Sequence, residues 1–389
     1  MKFARRGTAV LAAGLLTLAA ASTPAASATP AAAPHLPPPT GSQPVGTTSL
    51  YLKDTSRPDP WVPTVHAREL MVSLWYPATA PDGPRARYMT PTESALVLQD
   101  AGITSVPPGV LSTTRTGSFT GARPAGRPHS LPLVVLSPGF KQPRSTLTGL
   151  AEELASHGYV VAAIDHTYEN VATTFPDGRV TTCAACEVPV HDEAFWQKLA
   201  TGRAKDVSFV LDELTGSQPK WAGAALLDPS RIAMAGHSAG GAAAIPAMAA
   251  DPRIRAGIDL DGSVDGPLPD GGLARPFLLL GRAEQYTPGT GPAAASWERA
   301  WPSLTGWKRW LVVAGAVHQS FTDIGLLADQ LGIPTGATLP GARGLAITRD
   351  YTRAFFDLHL RHRAEPVLDG PSGRYPEVAF CTPEPGTCG

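Results

Sequence analysis

The chain has 389 residues, 43% of them apolar and 17% charged, with 32 Lys and Arg against 33 Asp and Glu. This is the composition of a globular protein and excludes a disordered one, which would carry fewer apolar residues and more unbalanced charge. A net charge of −1 offers no basic surplus for a phosphate backbone or an anionic membrane, so nucleic acid is not an expected partner.

At the N-terminus, Lys2, Arg5 and Arg6 precede an apolar run from Gly7 to Ala21, and Ala26-Ser27-Ala28 supplies a small-residue cleavage site. Residues 1–28 therefore read as a secretory signal peptide. The run is shorter than the roughly 20 residues that cross a bilayer, which argues against an integral membrane anchor. Its removal leaves 29 basic against 33 acidic residues, a mildly acidic, secreted chain. Residues 29–46, rich in Pro and Ala (Pro34, Pro37, Pro38, Pro39), read as a linker or frayed arm, and 47–389 as one catalytic domain.

Along that domain, Glu69 to Pro77 (ELMVSLWYP) is an apolar strand and Arg115 to Ser130 is turn-rich. Leu131 to Ser137 (LPLVVLS) and Tyr159 to Asp165 (YVVAAID) are unbroken apolar strands flanking a helical pattern at 147–157. Val207, Val210, Leu211 and Leu214 share one helix face. Four more strands follow at Arg231 to Ala235, Ala256 to Leu260, Arg275 to Gly281 and Lys308 to Ala314, and Thr348 to Arg361 reads as a closing helix. Strands without a polar face, alternating with helices, predict a doubly wound, mostly parallel α/β sheet with about six parallel strands.

Four cysteines in an exported chain predict two disulfides, for which three connectivities exist. Local pairing, Cys183 with Cys186 and Cys381 with Cys388, closes the shortest loops and is expected. The C-x-x-C lies in a loop context (Thr181, Thr182, Pro189) without His at ligand spacing, which disfavours a zinc or thioredoxin-type site.

Gly236-His237-Ser238-Ala239-Gly240 matches G-x-S-x-G between a buried strand and an Ala-rich helix. In that setting the glycines permit a sharp strand-to-helix turn that lifts the serine hydroxyl above the sheet. A serine nucleophile requires a base, and His318 follows the last apolar strand, whereas His359 and His362 lie in and at the end of a predicted helix. His237 is placed as a wall residue. For the acid that orients the imidazole, both Asp261 and Glu284 stand at strand ends, and spacing does not choose between them. Asp259 alternates to the opposite face from Leu260, and Asp265 lies further into the loop. Phe140, Trp196, Tyr286 and Phe321 are candidate pocket walls.

Ser137-Pro138-Gly139-Phe140, GHSAGG, the Leu260-Asp261-Gly262 segment, PFLLLG and GAVHQSF together resemble the plasma-type platelet-activating factor acetylhydrolase family. More loosely, they resemble secreted bacterial lipases and polyester-cleaving cutinases. The resemblance spans roughly residues 65–362 and implies an α/β-hydrolase fold. In the acetylhydrolase pattern the acid is Asp261; in the cutinase pattern it would be Glu284. Leu260-Asp261-Gly262 favours Asp261. The resemblance places the oxyanion-binding amides at Ala239 and Phe140, since Pro138 has no N–H.

The expectation is thus a monomeric, secreted serine esterase or lipase acting on a small-molecule or lipid ester, with Ser238, His318 and Asp261 as triad and no cofactor or metal. A secreted serine peptidase of the same fold and a non-catalytic relative are the competing readings.

Overall fold

Parallel strands covered by helices on both faces need apolar side chains at every position, and six runs of this kind form the centre of the computed structural model, which describes residues 1–2, 33–383 and 386–389. Apart from Met1 and Lys2, the predicted signal peptide lies outside the described residues. In chain order the strands are β1 (Val45–Asp54), β2 (Arg68–Pro77), β3 (Arg85–Arg87), β4 (Arg115–Thr120), β5 (Leu131–Ser137), β6 (Val160–Asp165), β7 (Thr173–Thr174), β8 (Val180–Thr181), β9 (Leu227–His237), β10 (Ile254–Leu260), β11 (Phe277–Arg282), β12 (Lys308–Val313), β13 (Val378–Thr382) and β14 (Thr387–Cys388). The helices are α1 (Pro91–Asp100), α2 (Thr148–Ser156), α3 (Glu193–Thr215), α4 (Ala239–Ala242), α5 (Ala244–Ala250), α6 (Ala283–Tyr286), α7 (Pro292–Ala300), α8 (Asp323–Gln330) and α9 (Gly341–Arg361).

One sheet runs β14-β13-β12-β11-β10-β9-β5-β6-β2-β1-β4-β3. Neighbours from β12 through β6 are parallel, and the six apolar runs read from the sequence occupy those six strands. Antiparallel β2 and β13 flank them. Alternation sorts each strand between two cores. Leu133 and Val135 of β5 pack with Val207, Leu211 and Leu214 of α3, whereas Val134 and Leu136 pack with Leu150 and Leu154 of α2 and Phe355 of α9. Pro132, which has no amide to give a ladder, stands where the β5–β9 register shifts between Leu131 and Leu133, a place a strand tolerates it.

Two sequence expectations need correction. Residues 33–46 are docked, not frayed. Arg115 N donates to Pro34 O and Leu36 N to Arg115 O, Arg349 donates to the Pro37 and Pro38 carbonyls, and Thr40 N donates to Glu153 Oε2 at 2.9 Å. Proline carbonyls remain good acceptors, and the rings restrict φ, so the chain loses less entropy on docking than composition suggests. Arg115–Thr120, read as turn-rich, is a strand paired with β1 and β3; its alternating buried and exposed residues hold too little apolar bulk to stand out.

From β6 the chain returns to β9 on the other side of β5. The carboxyl ends of β5 and β9 therefore border the crevice where ligands gather in open α/β sheets.

Candidate active site

Ser238 stands between β9 and α4 with φ 55° and ψ −124°, a conformation that a non-glycine residue holds only when its surroundings enforce it. They do so through close packing: a Cβ on Gly236 would collide with the Gly240 backbone, and one on Gly240 with Ser137 O. Ser238 N donates to Leu260 O at 2.8 Å, tying the turn to β10. Ala239 opens α4, so its amide has no partner within the helix.

His318 follows β12, and its Nδ1 lies 2.5 Å from Asp261 Oδ2. Because a carboxylate only accepts, Nδ1 donates in this contact, and in the neutral ring Nε2 is then the acceptor. Asp261 is buried, has φ 59°, and its Oδ1 accepts from Arg282 N at 2.8 Å. The Arg282 guanidinium lies 3.6 Å from Oδ2. Of the two acids left open by spacing, Asp261 is the one on His318; Glu284 is exposed on α6. His237 donates Nε2–H to His318 O at 2.8 Å, and burial, reinforced by His318, keeps its pKa well below the ordinary value. It braces the His318 loop as a neutral ring. Asp259, one turn of the alternation from Asp261, is fully buried and accepts from Gly262 N; burial pushes its carboxyl well above the usual range.

The loop after β5 comes close to the nucleophile: a Cβ on Gly139 would stand 3.3 Å from Ser238 Cβ. Beneath this loop lies a buried ionic network that no sequence motif announced. Arg203 of α3 donates to Pro138 O at 2.5 Å, to Ser137 Oγ at 3.2 Å and to Glu169 Oε2 at 2.7 Å. Lys141 N donates to Glu169 O. Arg68 joins Asp206, Asp59 and Glu169, and His166 bridges Asp206 and Ser137 Oγ at 2.8 and 2.9 Å. Although burial alone would raise it, the charge of Arg68 and the hydrogen bonds around it hold the Asp206 carboxyl well below the usual range. Burial and the Arg203 charge lower the His166 pKa. The only sequence signal was an Arg at position 203 in phase with the apolar face of α3.

Ser238, Ala239, Asp261, His318, Trp196 and Tyr286 all line one cavity of about 300 Å³. Of the other aromatics proposed as walls, Phe321 is buried in the core beneath α9. The Phe140 ring packs edge-on against His191, Phe195 and Trp196.

With this geometry in place, the comparisons decide the family. A model of the family described as platelet-activating factor acetylhydrolase, isoform II, matches residues 35–212 and 224–333. The chain belongs to that family. A protein of Arthroderma benhamiae named "Probable 1-alkyl-2-acetylglycerophosphocholine esterase" is 29% identical over 380 residues, covering 89% of this chain and 93% of its own. A ferulic acid esterase from Streptomyces cinnamoneus is similar in structure, with TM-score 0.81 and 44% identity over 90% of this chain and all of its own. A cutinase of Thermobifida alba is 28% identical over a third of each chain. This acetylhydrolase-family member is a carboxylic ester hydrolase of the α/β-hydrolase fold.

In this esterase, Cys183–Cys186 and Cys381–Cys388 are paired, with Cα separations of 5.3 and 4.0 Å. The first pair sits in an apolar cluster with Phe195, Leu199 and Ala239, so the long segment after β6 is anchored beside the nucleophile. Among the described residues no helix is long and apolar enough to cross a membrane, and no three His, Cys, Asp or Glu side chains gather as a metal ion requires.

Proposed function

We propose that the chain is a secreted serine esterase that works through an acyl-enzyme. Ser238 Oγ attacks the ester carbonyl while His318 Nε2 takes its proton; the carbonyl oxygen becomes an oxyanion facing the amides of Ala239 and Phe140. Collapse expels the alcohol, which takes the proton from His318. Water then repeats the sequence against the acyl-enzyme and releases the acid. Asp261 fixes the imidazole tautomer and stabilises its charged form, and Arg282 N holds Asp261 in turn. The observation that carries the reading is the 2.5 Å contact between His318 Nδ1 and Asp261 beside a cavity that also holds Ser238. Secretion is supported by the N-terminal charge and apolar pattern and by the two disulfide pairs. The Streptomyces relative's name brings aromatic acyl esters into the substrate range to be tried, and Trp196 and Tyr286 are suited to flank an aryl group.

The test is hydrolysis of p-nitrophenyl acetate, p-nitrophenyl butyrate and methyl ferulate against peptide p-nitroanilides, with fluorophosphonate labelling. Ester turnover and labelling are expected, and Ser238→Ala should abolish both while the circular dichroism spectrum is unchanged. Amide turnover instead would favour the peptidase reading; an active, folded Ser238→Ala protein would overturn the triad.

A further inference from the structure

Two carboxyl groups stand at the end of β10, and the proposed mechanism uses only Asp261. Asp259, two residues earlier, is fully buried. Its Oδ1 accepts from Gly262 N at 2.8 Å, and its Oδ2 is buried without a hydrogen-bond partner. Across the sheet Asp259 pairs with Gly236 of β9 and Leu279 of β11. A Cβ on Gly241 of α4 would stand 2.0 Å from its Oδ1, and one on Gly262 would stand 2.5 Å from it. The carboxyl therefore fills a slot that only glycines leave open, between the helix behind Ser238 and the loop of Asp261. Trp297 of α7 donates Nε1–H to Gly262 O at 2.6 Å, so Asp259 and Trp297 together hold both peptide groups of Gly262, the residue after Asp261.

The titratable groups that face Asp259 are Asp261, Asp265 and Tyr286. None of these is a base, and the Arg282 guanidinium at this end of the sheet lies 3.6 Å from Asp261 instead. A buried carboxylate with one hydrogen bond and no cation is far costlier than the neutral acid. We propose that Asp259 is a positioning residue that works as an un-ionised carboxylic acid, holding Gly262 so that Asp261 keeps its φ of 59° and carries the one negative charge that His318 meets. With Oδ1 committed to Gly262 N, the proton belongs on Oδ2. For its effect on catalysis the inference rests on the esterase reading above; the state of the carboxyl is tested without it.

The experiment uses Asp259→Asn, which keeps an oxygen for Gly262 N, and Asp259→Leu, which keeps bulk and removes the acceptor. Infrared difference spectra at neutral pH, wild type minus each variant, should show the C=O stretch of a protonated carboxylic acid. Its absence overturns the proposal. Thermal melts give a second readout. Burial, with the charges of Asp261 and Asp265, raises the Asp259 pKa well above its ordinary 3.8. A carboxyl so raised loses stability as the pH climbs above the unfolded value, so between about pH 4 and about pH 8 the Asn variant should gain steadily on the wild type in melting temperature. A constant difference overturns the neutral acid. With p-nitrophenyl acetate, Asp259→Asn should keep kcat within about threefold, whereas Asp259→Leu should lose about tenfold or more with KM little changed. Equal losses in both variants would mean that the charge is what Asp259 supplies, and full activity in both would remove its positioning role; either result rejects the proposal. A wild type that hydrolyses no ester strikes the esterase reading instead, and the infrared and melting results then decide the state of Asp259 alone. The melts also establish that each variant is folded; where leucine prevents folding, Asp259→Asn carries the infrared and melting tests.

Discussion

Asp261 departs from the backbone of an ordinary strand end: its φ of 59° turns the carboxylate back between Arg282 N and the His318 ring. Removing its charge while keeping its shape disturbs the imidazole tautomer more than the geometry. Asp261→Asn is therefore expected to lose about 10⁴-fold in kcat, while Glu284→Gln, on an exposed face of α6, retains most of it. Steady-state kinetics on the two mutants checks this, and the reverse result would move the acid to Glu284. Arg203 is a positioning residue of a different kind, since it touches Pro138 O and Glu169 and reaches the reaction through the loop they hold. Arg203→Met leaves Glu169 Oε2 without its ion-pair partner, while Arg68 and Trp61 Nε1 remain on Oε1, a loss of about 1–3 kcal/mol in stability. In protein that remains folded, kcat should fall about 100-fold with KM little changed, and Arg203→Lys should recover part of kcat. A purely structural role would lower the melting temperature and leave kcat per folded molecule alone.

At the level of elements, the β9–α4 turn works because two backbones touch without side chains between them. Gly240 lies against the end of β5 so closely that a methyl group meets Ser137 and Pro138. The same contact sets the spacing between the Ala239 amide and the loop of Phe140. Gly240→Ala is expected to push these apart and reduce kcat about 100-fold or more, with circular dichroism used to establish that the sheet persists. A fully active Gly240→Ala protein would mean that the spacing of the two amides is not critical. The G-x-S-x-G pattern was legible because its context, apolar strand before and small-residue helix after, is local. The partner surface on β5 is 100 residues away and invisible to local pattern.

Across the whole molecule, the docked arm is coupled to acid stability. Burial alone would raise the Glu153 pKa, but hydrogen bonds from His157 and from the side chain and amide of Thr40, with the charge of Arg349, bring it from 4.5 down to about 2. A carboxyl depressed in the folded state contributes stability above its unfolded pKa and loses it as the pH falls through the folded value. The window is thus about pH 4.5 to 2. Glu153→Gln should melt lower than the wild type at neutral pH, and the gap should close as the pH approaches 2. Thermal melts at several pH values, with limited proteolysis of residues 33–44, read out both the stability and the release of the arm. A gap that stays constant across the window would detach the arm from this titration.

The sequence by itself determined the parallel centre of the sheet, because a strand buried on both faces must be apolar throughout and this is written in each run separately. It also determined Ser238 as the turn serine and His318 as a residue at a strand end, since both depend on local order of strand, turn and helix. It left Asp261 and Glu284 equal by spacing, and it hid the Arg203–Glu169–Asp206 network and the docking of residues 33–46. Those depend on which side chains meet across long stretches of chain. Hydrogen bonds and ion pairs select partners by distance in space, and only the assembled sheet with its covering helices brings those partners within reach.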